Sequence, residues 1–105
     1  MDNFREKFES FMEGCKAKLD ASPIKGPFAR QLTTEEGQRY IRVVAFYDVD
    51  GKPMHRSAWA FVDKTTGDVL KAASWKKPAK HARGNIFDEW NGLKSVGPYG
   101  PAYLR

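Results

Sequence analysis

The sequence predicts an α+β fold: one N-terminal amphipathic helix covering a three-stranded antiparallel meander sheet, followed by a short C-terminal helix. Three observations predict it. Apolar residues recur at helical spacing before Ser22, and runs of β-branched and aromatic residues alternate with turn sequences from Arg39 to Trp75. The connections between those runs are far too short for parallel crossovers. At 105 residues the chain fits one small domain, 1–105, and no repeat, low-complexity tract or composition break divides it.

The helix comes first. Phe4, Phe8, Phe11, Met12, Cys15 and Leu19 fall on one stripe of a 3.6-residue period. Asp2 or Asn3 can cap its start, and Lys16 and Lys18 near its end suit the negative pole of the helix dipole. Gly14 costs about 1 kcal/mol against alanine without breaking the helix. "SPIKGP", Ser22 to Pro27, ends it and opens a linker over 22–38. Within that linker "LTTEEG" is expected to form one short turn, capped by Thr33 or Thr34 with Glu36 near its third position.

Three strand signals follow: "RYIRVVAFYDV" from Arg39, "HRSAWAFVD" from His55 and "DVLKAASW" from Asp68. "DVDGKP" and "KTTG" supply the turns, and the aspartates of the first are suited to bonding nearby backbone amides rather than calcium. Counting back from the second turn opposes Val62 to Val69, Phe61 to Leu70, Ala60 to Lys71 and Trp59 to Ala72. The face holding Trp59, Phe61, Leu70 and Ala72 is the larger and cleaner one, so it is expected to meet the helix. Ile41, Val43, Ala45 and Tyr47 form the uncharged set of the first strand, and Arg42 is expected beside Arg56 and Lys71 on the other face. A one-residue slip would exchange the faces. Beyond Trp75, "KKPAKHARG" reads as a loop broken by Pro78. "NIFDEWNGL" reads as a short helix capped by Asn85, and residues 95–105 as an extended or partly mobile tail.

Charge gives the functional lead. The chain has 18 Lys and Arg against 13 acidic residues, a formal net charge of +5. From Arg39 to Arg83 ten cations face four acids, whereas the first twenty residues are slightly acidic. Nucleic acid is the polyanion such a surface suits, its backbone contacts being salt-dependent and independent of sequence. The expected contacts are Arg42, Arg56, Lys71, Lys76, Lys77, Lys80 and Arg83, with Trp75 as the ring on which an unpaired base stacks; Tyr40 and Phe46 are further candidates. The accompanying rings favour single strands over duplex. No helix-turn-helix, zinc-finger or RNP pattern points to sequence-specific readout.

Other chemistries find little footing. His55 and His81 have no identifiable partner for acid–base work, and neither a GxSxG elbow nor a phosphate-binding GxxxxGK[ST] loop occurs. One cysteine and two histidines match no zinc spacing, so no enzyme activity, metal or cofactor is expected. Cys15, on the apolar stripe, is expected to be a buried thiol. No apolar run is long enough for a signal peptide or membrane span, which gives a cytoplasmic expectation and no membrane partner. The competing function is a protein-interaction domain, acting on a host or viral protein as inhibitor or adaptor, with a homodimer formed through a free sheet edge or uncovered aromatics.

"FVDKTTGDVLKAASWKKPAKHARGNIFD", Phe61 to Asp88, resembles a stretch found in small uncharacterised proteins of tailed bacteriophages. The resemblance implies a host-cell cytoplasmic setting during infection. It implies no activity, ligand or residue role, and it leaves both functional readings open.

Overall fold

The computed structural model of the chain describes residues 3–20, 30–94, 96–97 and 100–101. Helix α1 spans Phe4–Asp20. The Asn3 carbonyl accepts the first helical bond from the Lys7 amide at 3.0 Å, which puts Asn3 in the cap position. Asp2, the alternative cap, lies outside the described residues. The expected stripe is the one that packs: Phe8, Phe11, Met12, Cys15 and Leu19 are buried, and Phe4 lies partly buried against the same cluster. Burial pushes the Cys15 thiol up to about 12 against the opposing pull of the Lys18 charge, so it stays protonated at neutral pH. Gly14 has a packing reason, since a Cβ there would overlap the Leu93 side chain.

The sheet has five strands rather than the expected three: β1 Arg30–Glu36, β2 Tyr40–Val49, β3 Lys52–Asp63, β4 Asp68–Ala72 and β5 Pro78–Asn85. They are antiparallel and lie in chain order. Both unexpected strands come from segments with weak local strand signals. β1 takes up 30–36 of the expected linker, and its "LTTEE" pairs with β2 instead of forming a helical turn. Leu32, opposite Ala45, is buried there and covers an edge that would otherwise leave β2 half-dressed. β5 takes up the expected loop: Pro78 stands first, where a missing amide is tolerated, and two register shifts against β4 accommodate the rest.

The register between β3 and β4 is the expected one, with Val62 opposite Val69, Phe61 opposite Leu70 and Ala60 opposite Lys71. The core face of β3 and β4 is the opposite of the expected one, although Trp59 and the expected set Ile41, Val43 and Ala45 of β2 do lie under the helix. Ala60, Val62 and Val69 join Ile41, Val43 and Ala45 in the cluster under α1, while Phe61, Leu70 and Val44 are buried on the far side. A bulge explains the misreading. Val43 faces Ala60 and Val44 faces Ala58, so Trp59 is an extra residue that joins the helix-side cluster out of alternation. A second irregularity sets His55 and Arg56 against Phe46, with His55 at φ 55°. At the β2–β3 turn Asp50 and Gly51 have φ of 52° and 82°, the two left-handed positions of a two-residue hairpin, and Asp48 Oδ1 accepts from the Gly51 amide at 3.0 Å.

The expected C-terminal helix is absent from 86–94, which form a series of turns held by side chains. Asn85 Oδ1 accepts from the Phe87 amide at 2.8 Å, and its Nδ2 donates to the Thr66 carbonyl at 2.8 Å. Asp88 accepts from the amides of Asn85, Trp90 and Gly92 at 2.9–3.2 Å. Asn91 Nδ2 donates to the Ile86 and Lys7 carbonyls, tying the loop to α1. These local acceptors compete with the helical ladder, and left-handed Asn91 and Gly92, at φ 53° and 74°, end any chance of one. Of the expected tail, Val96–Gly97 and Gly100–Pro101 form the short antiparallel pair β6–β7, with β6 touching α1 and β7 touching β3 and β4. The remainder of that expectation lies outside the described residues.

Two tests follow from this loop. At Gly92 a Cβ would sit 2.8 Å from Val69 Cγ2 in a left-handed backbone, so Gly92→Ala is expected to lower unfolding stability by about 2 kcal/mol in urea denaturation. Partial burial would raise the Asp88 pKa, but the amides of Gly92, Trp90 and Asn85 outweigh it and hold the carboxyl below the ordinary aspartate value. Its contribution is therefore present at neutral pH and is lost as pH falls through the depressed folded value. Asp88→Ala should be less stable than the parent at pH 7, with the difference narrowing as pH falls below the ordinary aspartate value.

Candidate nucleic-acid interface

The side of the sheet away from α1 carries the candidate site. Arg42 on β2 and Arg56 on β3 both reach Glu35 on β1: Arg42 Nη1 bonds Glu35 Oε1 at 2.7 Å, and Arg56 Nη2 pairs with Oε2. Cross-strand register explains the first contact, because Glu35 stands directly opposite Arg42. The irregularity at His55 and Arg56 accompanies the second. Hydrogen bonds from Arg56 and then Arg42 hold the Glu35 carboxyl below the ordinary glutamate value, so it is ionised at neutral pH and cancels part of their charge.

Arg42 also anchors the β4–β5 connection. Its Nε donates to the Trp75 carbonyl at 2.9 Å, and its guanidinium carbon lies 4.5 Å from the centre of the Trp75 ring. Arg56 approaches the same ring at 5.4 Å. The connection is closed on itself as well, with the Ala73 and Ser74 amides donating to the Lys77 carbonyl at 3.0 and 3.1 Å. Trp75 is thus held over the sheet by two cations but remains 37% exposed, enough ring to meet a ligand.

The expected contacts divide. Arg42, Arg56 and Trp75 come together, and Arg42 also lines, with Lys76, an open cleft of about 210 Å³ whose wall includes Glu35, Glu36, Arg39, Tyr40 and Phe61. Lys77 is exposed in the same connection, and Lys80 is exposed along β5. Lys71 does not belong to this group. It shares the helix-side face with Ala60, and its Nζ donates to the Pro101 carbonyl at 3.1 Å. Arg83 is half-buried and its guanidinium bonds the His81 carbonyl.

Phe46, facing away from α1, is half-buried, and Tyr40 packs edge-on against Phe61 at 6.1 Å with Arg39 5.2 Å from its ring centre. Glu35 is the residue that sequence reasoning missed. It was concealed in the "TTEE" run read as a turn, and only its pairing in β1 brings it to the two arginines.

Among the described residues no group of three or more His, Cys, Asp or Glu side chains is placed to hold a metal, and no helix is long and apolar enough to cross a membrane. His55 packs edge-on against Tyr47 at 6.0 Å. Arg42→Lys keeps the charge but not the fork that joins Glu35 to the Trp75 carbonyl. Amide hydrogen exchange across 73–77 is expected to speed up about 10-fold in this variant, while the β2–β3 ladder keeps its protection.

No curated protein and no solved structure matches the chain. A family profile does match, over residues 4–97, which takes in α1, all five strands of the sheet and the Trp75 connection, and the chain therefore belongs to the family of unknown function DUF7717.

Proposed function

We propose that the protein is a non-catalytic, sequence-nonspecific nucleic-acid-binding domain that prefers single strands. The observation carrying this reading is an acid-free stretch. From Val69 to Phe87 the chain has no Asp or Glu but has Lys71, Lys76, Lys77, Lys80 and Arg83. Within that stretch Lys76 and Lys77 follow an exposed Trp75 directly and Lys80 is exposed on β5, whereas Lys71 turns its amine to the helix side and Arg83 bonds the His81 carbonyl.

The roles within the site differ from those the sequence suggested. Lys76, Lys77 and Lys80 are the phosphate contacts, since each is exposed and a flexible ammonium can follow a backbone of variable shape. Trp75 offers a ring face for one base, a stack worth about 1 to 3 kcal/mol. Arg42 and Arg56 position that ring, because Glu35 already engages their guanidinium groups. A single ring beside a short cationic strip suits a few nucleotides of flexible strand better than a stiff duplex. The reading rests on this geometry and takes nothing from the phage resemblance.

The test is a salt series of fluorescence anisotropy titrations with labelled oligo(dT), its RNA counterpart and a duplex of equal length. Replacing Lys76, Lys77 and Lys80 together by alanine is expected to lower the slope of log K against log salt by about 2 on single strands. Trp75→Ala should weaken single-strand binding about 10-fold or more with the slope unchanged. Affinity that is independent of salt, or untouched by both variants, would remove this surface from any nucleic-acid role.

A further inference from the structure

The two edges of the sheet are unequally protected. β5 starts at a proline, is interrupted twice in its register with β4 and carries Lys80, His81 and Arg83, features that discourage a further strand from pairing. β1 lacks the proline and the interruptions, and its charges, Arg30, Glu35 and Glu36, lie at its two ends. Its seven residues pair with β2 in unbroken register, with no proline, lysine or bulge, and among the described residues no strand lies on its outer side.

Among the described residues the seam between that edge and α1 is also open. Clefts of about 350 and 490 Å³ lie along it, with Phe8, Met12, Leu32 and Ile41 in their walls. An added strand would bring its own helix-side residues over this thinly covered flank of the core.

We propose that β1 pairs with β1 of a second copy of this chain, antiparallel about a two-fold axis at Thr33, joining two five-stranded sheets into one. The strand reads "RQLTTEE", with its cation at one end and its acids at the other. Antiparallel self-pairing about Thr33 sets Arg30 against Glu36, Gln31 against Glu35 and Leu32 against Thr34 of the second copy, so unlike charges meet and like charges do not. Thr33 meets itself, a favourable β-branched pair. Parallel pairing in register would instead oppose arginine to arginine and glutamate to glutamate. The two-fold axis keeps corresponding faces on one side, so both helices flank the joint, Leu32 lies beneath them, and the Trp75 surfaces remain on the opposite side. The pairing is independent of the nucleic-acid reading.

Cross-linking tests the register directly. Directly opposed residues in antiparallel strands have Cα atoms about 4.5–5.5 Å apart, within the reach of a disulfide. Thr33→Cys is therefore expected to form a covalent dimer on mild oxidation, while Gln31→Cys, with the two cysteines displaced by roughly 13 Å along the strands, should not. Cys15 does not compete, being buried with its thiol pushed up to about 12. Light scattering should give twice the chain mass for the parent. Thr33→Lys, which opposes two ammonium groups at the axis, should give a monomer with an unchanged far-UV circular dichroism spectrum. A parent protein that is monomeric at millimolar concentration would overturn the proposal and leave the edge to a foreign strand. A dimer that links through residue 31 but not 33, or one that survives Thr33→Lys, would overturn the assigned joint.

Discussion

One guanidinium organises the side of the sheet away from the helix. Arg42 bonds the Glu35 carboxylate on the edge strand and the Trp75 carbonyl in the β4–β5 connection, and lies against the rings of both Trp75 and Phe61. Without it, the connection would keep its own Ala73–Lys77 and Ser74–Lys77 bonds and the approach of Arg56 to the Trp75 ring, but would lose the hydrogen bond that ties the Trp75 carbonyl to β2. Its planar fork can bond two partners while its face covers an aromatic ring, a combination a lysine cannot reproduce. Position follows from this contact: Trp75 faces solvent at a fixed place, with Lys76 beside it on the cleft rim.

The same contact changes what the charge of the protein means. Pairs of Arg42 and Arg56 with Glu35, Arg39 with Asp63 and Lys64 with Glu36 offset cations on and beside the first three strands. The pairs made by Glu35 and Glu36 lie at the surface and contribute little to stability, but they leave the uncompensated field elsewhere, over the acid-free run from Val69 to Phe87. A polyanion would meet a strip of lysines beside one ring rather than a broad basic sheet. The unprotected edge is β1, at the other end of the strand order, so a ligand strip and a second chain can use different parts of one molecule.

Much of the fold was legible because its periodicities are strong. The helix stripe from Phe4 to Leu19, the Asp50–Gly51 turn and the Val62–Val69 register all follow from local spacing. The core face was misread because Trp59 is an extra residue, and no local pattern distinguishes a bulged tryptophan from one in regular alternation. β1 and β5 were missed for a related reason: "LTTEE" and "AKHAR" become strands only when β2 and β4 offer an edge. The expected helix at Asn85–Leu93 gave way to Asn85, Asp88 and Asn91 side chains, which bond backbone groups more effectively in turns. Of the candidate site, the ring and the lysine strip could be read from composition. Their division into contacts and supports could not, because it depends on where Glu35 lies.

The claim that a ligand strand runs over the β4–β5 connection is tested most directly by mapping amide and indole resonances of isotopically labelled protein during titration with short oligo(dT). The account predicts saturable shifts concentrated at Ser74–Lys80 and at the Trp75 indole, fading as salt is raised. Shifts confined to β1 and α1, or no shifts at low salt, would contradict it.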